Sequence, residues 1–256
     1  MSYYQDKVFI ISGASSGIGE HLAREMVRRG AAVGLMARRQ ERLESLAEEL
    51  RASGGRAAWA VADVQSTEAV HQAMDQLQQE LGDVFGIIAN AGFGRPEPVS
   101  KHKAGRSEVL YDVNLLGMIR MIDWALPAMV ERRAGHIVGV ASIASYLGFP
   151  ITPSYSGSKA AMRVHLQGLR CSLKRYGVSV TTICPGFIKS ELTDRNDFKM
   201  PFLWETDRAV RYMANAIERR RGEVAFPWQM RWLVRGFATR LPTSWVEALM
   251  SRGGKR

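Results

Sequence analysis

The sequence predicts an α/β fold, a doubly wound parallel sheet of about seven strands with helices on both faces, built as a single domain with an extended C-terminal helical tail. Three observations predict it. Short β-branched runs, apolar on both faces, alternate with amphipathic helical stretches, the pattern of strands covered on both sides. Glycines cluster between the first apolar run and the first helical one, at Gly13, Gly17 and Gly19. No linker interrupts the 256 residues, a length that one such core can bury.

Each element has its own signal. "KVFIISG" reads as a buried strand. "GIGEHLAREMVRRG" reads as a helix with Ile18, Leu22, Met26 and Val27 on one face and Gly30 as its stop. "AAVGLMA" is a second strand, and "QERLESLAEELRASGG" a charged amphipathic helix ending on glycine. "RAAWAVAD" is a third strand, followed by a helix with Ser66 or Thr67 as N-cap. "VFGIIANAG" is the fourth strand, and a long helical region spans about 107–133. "GHIVGVAS" is the fifth strand, "SYSGSKAAMRVHLQGLRCSLKRYG" a helix, "VSVTTICPG" the sixth strand and "GEVAFP" the seventh. The domain therefore divides into a core of about 5–190 plus 222–227, a substrate lid of about 187–221 and a helical tail of about 228–256.

Composition narrows the function. The net charge is +10, and residues 201–256 hold eleven Lys/Arg against five Asp/Glu. Such a balance suits anionic partners, yet no zinc finger or RNP-like aromatic run points to nucleic acid. Cys171 and Cys184 make no disulfide framework, so a reducing, cytoplasmic setting is expected. The histidines at 21, 71, 102, 136 and 165 have no metal-ligand spacing, and no metal is expected. The N-terminus lacks a basic n-region, and no apolar stretch is long enough to span a bilayer.

"SGASSGIG" is the first motif with chemistry. Its spacing is G-x-x-x-G-x-G at the strand-to-helix turn, where glycines allow close backbone approach and the helix N-terminus accepts phosphate charge. The sheet is thus of Rossmann type, with a dinucleotide as ligand. There is no G-K-[ST], so a triphosphate loop is excluded. "GASSG" also matches the G-x-S-x-G elbow of serine hydrolases, with Ser15 as nucleophile and His136 or His165 as nominal base. That reading is weak, because no HGGG-type oxyanion segment precedes Ser15. An NAD site wants an acid about 20 residues after the loop. Ala37 stands there instead, followed by Arg38 and Arg39. Guanidinium groups suit the 2′-phosphate of NADP, so NADP(H) is expected over NAD(H).

"YSGSK" places Tyr155 and Lys159 four apart on a predicted helix, where positions i and i+4 share a face. A nearby ammonium favours phenolate, which makes tyrosine a usable acid/base. The small residues between them leave room for cofactor and substrate. The same spacing recurs at Tyr3 and Lys7, on a terminus expected to fray, where Lys7 begins a strand.

Taken together, "GASSGIG", "AD" at 62–63, "NAG" at 90–92, Asn114 in "YDVNLLG", Ser142 in "GVASIAS", "YSGSK" and "PG" at 185–186 resemble the short-chain dehydrogenase/reductase family. The resemblance covers about 5–190. It implies an NADP(H)-dependent oxidoreductase that interconverts a carbonyl and an alcohol by hydride transfer. It implies Tyr155 as general acid/base, Ser142 polarising the carbonyl, Lys159 also holding the nicotinamide ribose, and Asn114 anchoring a water in a proton relay. It implies cofactor contacts from Gly13, Ser15, Ser16, Gly17, Ile18 and Gly19, from Asp63 and Val64 at the adenine, and from Asn90, Ala91 and Gly92 beneath the ribose. Pro185, Gly186, Ile188 and Ser190 would meet the carboxamide, although the family usually has Val and Thr at the last two places. It further implies a homodimer or homotetramer. A dinucleotide-binding regulator or scaffold without turnover is the alternative from another class.

Tyr146, Leu147, Phe149, Phe187, Phe198, Phe202, Leu203 and Trp204 suggest an apolar pocket or lid, hence an apolar ketone, aldehyde or alcohol as substrate. In the tail, Met230, Val234, Phe237 and Leu241 line one helical face, flanked by Arg231 and Arg235. This basic, tryptophan-rich segment could pack on the body, cover the active site, meet a second subunit or contact a membrane peripherally.

Overall fold

The strands run β1 (Val8–Ser12), β2 (Ala32–Ala37), β3 (Arg56–Val61), β4 (Val84–Ala89), β5 (Gly135–Val140), β6 (Val178–Pro185) and β7 (Glu223–Phe226). They form one seven-stranded sheet in the order β3-β2-β1-β4-β5-β6-β7, and every pairing is parallel. The helices are α1 (Gly17–Arg28), α2 (Gln40–Ala52), α3 (Thr67–Leu81), α4 (Arg106–Tyr111), α5 (Gly117–Glu131), α6 (Pro153–Leu173), α7 (Thr206–Glu218), α8 (Trp228–Arg231) and α9 (Thr243–Gly253). The computed structural model describes residues 2–97, 100, 103–191, 193 and 200–253, the side chains of 237, 252 and 253 excepted.

The period-2 alternation of each strand feeds two cores. Phe9, Ile11, Val33 and Leu35 point to the face covered by α1, α2 and α7, where they meet Leu22, Met26, Leu46 and Met213. Val8, Ile10 and Met36 point to the opposite face, against Met74 and Leu77 of α3, Met121 of α5 and Met162 of α6. Burial on both sides is why these strands read as continuous apolar runs. The strand order reverses between β1 and β4, which opens a crevice at the carboxyl ends of these strands.

Several features differ from the sequence reading. The helix expected at 107–133 is α4, a π-helical turn at Asp112–Leu116 and α5. The wide turn holds Asn114, and such turns recur at functional sites. The joined segment Arg106–Glu131 is also long and apolar enough to cross a membrane, contrary to expectation. Its inner side nevertheless packs on the sheet through Met118, Met121, Ile122 and Met129, as a core helix does. The N-terminus is tied down: the buried Tyr4 donates its hydroxyl to Ala214 O at 2.6 Å. α7, counted with the lid, packs on α1 as a layer of the body. Trp204 likewise lies in the body, its ring 5.1 Å from Phe226 and 5.9 Å from Tyr212. Phe198 falls outside the described residues, as does the side chain of Phe237.

Candidate active site

The glycine loop rests on a floor built by one hydroxyl. Ser12, buried at the end of β1, accepts from the amides of Asn90 and Ala91, both at 3.1 Å. Asn90 returns its side-chain amide to Ser12 O at 3.0 Å and to Gly13 O at 3.3 Å. The loop therefore lies flat on the end of β4. Gly13 has φ +67°, and a Cβ there would sit 2.9 Å from Ala91 Cα, closer than carbon atoms approach. A Cβ on Gly19 would collide with the Gly13 carbonyl. Ser16 is the N-cap of α1 but makes no side-chain cap bond. The first α1 amides consequently stay available to an anion. Ile18, half-buried, packs in part against the core.

Beside the loop, Ala37 is buried at the end of β2. Arg38 and Arg39 precede α2, with Arg39 as its N-cap, so they stand before the first turn. Arg38 is exposed and reaches Asp63 at 3.5 Å. Arg39 donates to Ser15 Oγ and Ser15 O, both at 3.1 Å, and pairs with Glu191 at 3.1 Å. Arg39 holds the Glu191 carboxyl below its ordinary value, and Ser16 adds a weaker hydrogen bond. Asp63 also accepts from the Gln65 amide at 3.1 Å, as a strand-end cap would. Val64 is a packing residue: its side chain is buried against Gly117 of α5.

The catalytic candidates converge at the ends of β4 and β5 and on α6. Ser142 follows β5 and is the N-cap of a 3₁₀ turn at Ile143–Tyr146, accepting from the Ala144 amide at 3.1 Å. Its hydroxyl is close enough to that of Tyr155 to act on it. Burial pushes the Tyr155 phenol up. Depression of this phenol by Lys159, the expectation from spacing, is not found; desolvation governs it, and Ser142 supplies the opposing pull. The Lys159 amine is itself buried, donates to Val140 O at 2.8 Å, and is lowered by that burial to about 8. Asn114 is fully buried; it donates to Phe93 O at 3.0 Å and Ser158 Oγ at 2.9 Å and accepts from the Phe93 amide at 2.9 Å.

Gly92, Phe93 and Gly94 thread between these groups. A Cβ on Gly92 would lie 2.8 Å from Asn114 Oδ1 and 3.0 Å from Lys159 Nζ. One on Gly94 would lie 2.8 Å from the Tyr155 ring. The small residues of "YSGSK" serve a different purpose from the one expected. Ser156 accepts from the Phe149 amide, Ser158 accepts from Asn114, and Gly157 leaves space for the Tyr111 hydroxyl. They seat α6 on its neighbours rather than leave room for ligand.

On the other side, Gly186 donates its amide to Phe226 O at 2.7 Å, just after Pro185 ends β6. Ile188 is a core side chain. Ser190 Cβ lies 3.3 Å from where a Cβ on Gly17 would be, which places the 186–190 segment against the glycine loop. Tyr146, Leu147 and Phe187 pack together with Ala141, Ile143, Met230 and Val234, forming an apolar wall beside Ser142. Phe202 and Leu203 are exposed.

The hydrolase reading fails on the partner of Ser15. Its hydroxyl faces Arg39, a guanidinium that cannot take a proton. His136 is instead buried in the sheet between Tyr3 and Thr181. Among the described residues no group of His, Cys, Asp or Glu is placed to hold a metal. The sequence reading missed Ser12, Gly94 and Ser158. A serine closing the first strand and a second glycine after "NAG" are the signals that were there to find.

A family model described as short chain dehydrogenase matches residues 7–200. An uncharacterised oxidoreductase of Myxococcus xanthus (strain DK1622) is 40% identical over 230 residues, 90% of each chain. A gluconate 5-dehydrogenase from Burkholderia cenocepacia J2315, solved with NADP and tartrate, is 25% identical with TM-score 0.80, covering 90% of this chain and 97% of that one. A short chain dehydrogenase/reductase from Burkholderia phymatum, solved with NAD, shares the fold at TM-score 0.84 over 97% of both chains, with 23% identity.

Proposed function

Starting from the short chain dehydrogenase family, to which this chain belongs, we propose an NADP(H)-dependent oxidoreductase that interconverts an apolar ketone or aldehyde with its alcohol. The observation that carries the reading is the Ser142–Tyr155 hydroxyl contact with the buried Lys159 amine one turn further along α6, where Gly94 lies against the Tyr155 ring and Gly92 against Lys159, each too close to bear a side chain.

The residues present fit a nicotinamide dinucleotide. The loop glycines exclude Cβ atoms, the start of α1 is uncapped by side chains, and Lys159 offers a buried amine. Gly13–Gly19, Asn90–Gly92 and Gly186–Ser190 would hold it, and it supplies the hydride. Ser142 donates to the substrate oxygen and orients it. Tyr155 gives that oxygen its proton in reduction and takes it back in oxidation. Because burial keeps the phenol protonated, the site is set for reduction at neutral pH. Lys159 fixes the end of β5 and presents its amine on the same helix as the proton donor. Arg38 and Arg39 favour the 2′-phosphate, with Ala37 leaving no acid to repel it. The wall of Tyr146, Leu147 and Phe187 supports an apolar substrate. Exposed Val109, Leu116 and Val164 on α4, the π turn and α6 support a homo-oligomer. Free thiols at Cys171 and Cys184 suit a cytoplasmic setting.

The test is consumption of NADPH and NADH with a panel of apolar ketones and aldehydes, comparing the natural chain with Tyr155→Phe. Turnover by the natural chain alone, preferring NADPH, is expected. Binding of NADPH by both with turnover by neither would replace the enzyme with a dinucleotide-binding regulator. Arg38→Ala should raise the KM for NADPH about tenfold and leave that for NADH unchanged.

A further inference from the structure

Beyond β7 the tail turns one side inward. Met230 and Val234 pack on Ala141, Ile143, Cys184 and Ala225. Arg235 fixes the roll of this segment: it lies 3.0 Å from Glu223, which also accepts from the Tyr146 hydroxyl at 2.8 Å. The outward side is apolar and basic. Trp228 and Trp232 are 71% and 64% exposed. Together with Arg231, Arg235, Gly236 and Arg240 they line a surface recess of about 540 Å³. α9 then presents Trp245 and Leu249, four apart and 65% and 68% exposed, and none of its described side chains is buried. Among the described residues the Trp245–Leu249 side of this eleven-residue helix is left uncovered, and so short a helix is marginal in water by itself.

We propose that this face docks on an anionic lipid surface. Indole and leucine side chains suit the boundary between headgroups and acyl chains, and arginines between them suit anionic headgroups. Residues 228–253 carry four arginines and a single acid, Glu247. A second copy applied face to face would set the arginine stripe against itself, which like charges oppose. A bilayer offers the opposite charge and an apolar layer together.

The full-length protein, sedimented with vesicles of phosphatidylcholine alone or mixed with phosphatidylglycerol, tests this. It should pellet with the mixed vesicles only, and salt should release it. Arg231→Ala and Arg240→Ala should each weaken binding about fivefold. The double variant Trp228→Ala, Trp245→Ala should weaken it at least tenfold. All should keep the natural melting temperature and turnover of a soluble substrate. Equal pelleting with both vesicle types, or none, overturns the proposal. So does a lipid-free dimer that Trp245→Ala dissociates, since a second copy would then be the occupant.

Discussion

The chain carries a tyrosine with a lysine four residues on at Tyr3–Lys7 and again at Tyr155–Lys159, and the two regions put the same spacing to different uses. Residues 3–6 form a turn, so Lys7 curls back to donate to Tyr3 O at 2.6 Å and stands 3.9 Å from the centre of its ring. The Tyr3 hydroxyl meets His136 Nδ1 at 2.8 Å, and burial keeps that imidazole neutral down to about pH 3. Nothing there faces the crevice. On α6 the same spacing sets a phenol against Ser142 and an amine against the end of β5. Spacing decides what can meet; the partner of each hydroxyl decides what it does.

The largest break in this comparison is Tyr155→Phe. It should cut kcat by roughly 10³-fold while NADPH binding, followed by fluorescence, persists. Tyr3→Phe should leave kcat and KM untouched. Lys159→Met comes next, with kcat/KM lower by about 10²-fold and a raised KM for the cofactor, whereas Lys7→Met should alter neither. The pH profile sharpens the contrast. Lys159 is an ammonium below about pH 8 and neutral above it, so kcat/KM should fall as pH rises through that value. Stability has the opposite sign there. Between about 8 and the ordinary 10.5 the unfolded chain holds more protons, so the folded state gains as pH rises, measurable as urea midpoint against pH. The smallest effect belongs to the first pair. Tyr3→Phe leaves a buried imidazole nitrogen without its partner and should cost about 1–3 kcal/mol in chemical denaturation. His136 also predicts acid sensitivity: the unfolded chain takes its proton near 6.5 and the folded one only near 3, so stability is lost as pH falls through that window.

The sheet was legible because burial on both faces writes itself as apolar runs, and α6 was legible because Tyr155 and Lys159 sit one turn apart. Contacts between distant parts of the chain were not. Ser12 meets Asn90 and Gly94 meets Tyr155 only after β1, β4 and α6 are in place. No local pattern encodes such meetings. The terminus looked loose because the hydroxyls of Tyr3 and Tyr4 find their partners far along the chain, at His136 and Ala214. The purpose of Ser156, Gly157 and Ser158 was misjudged for the same reason, since Tyr111 and Asn114 are their true neighbours.

The bond from Lys159 to Val140 O joins α6 to the strand end that feeds Ser142. In the proposed reaction, proton chemistry and mechanical alignment therefore share one nitrogen, and neither can be retuned alone. Anyone reshaping this protein for a new substrate would do better to vary Leu147, Phe187 and Met230, which belong to the apolar cluster outside that clamp.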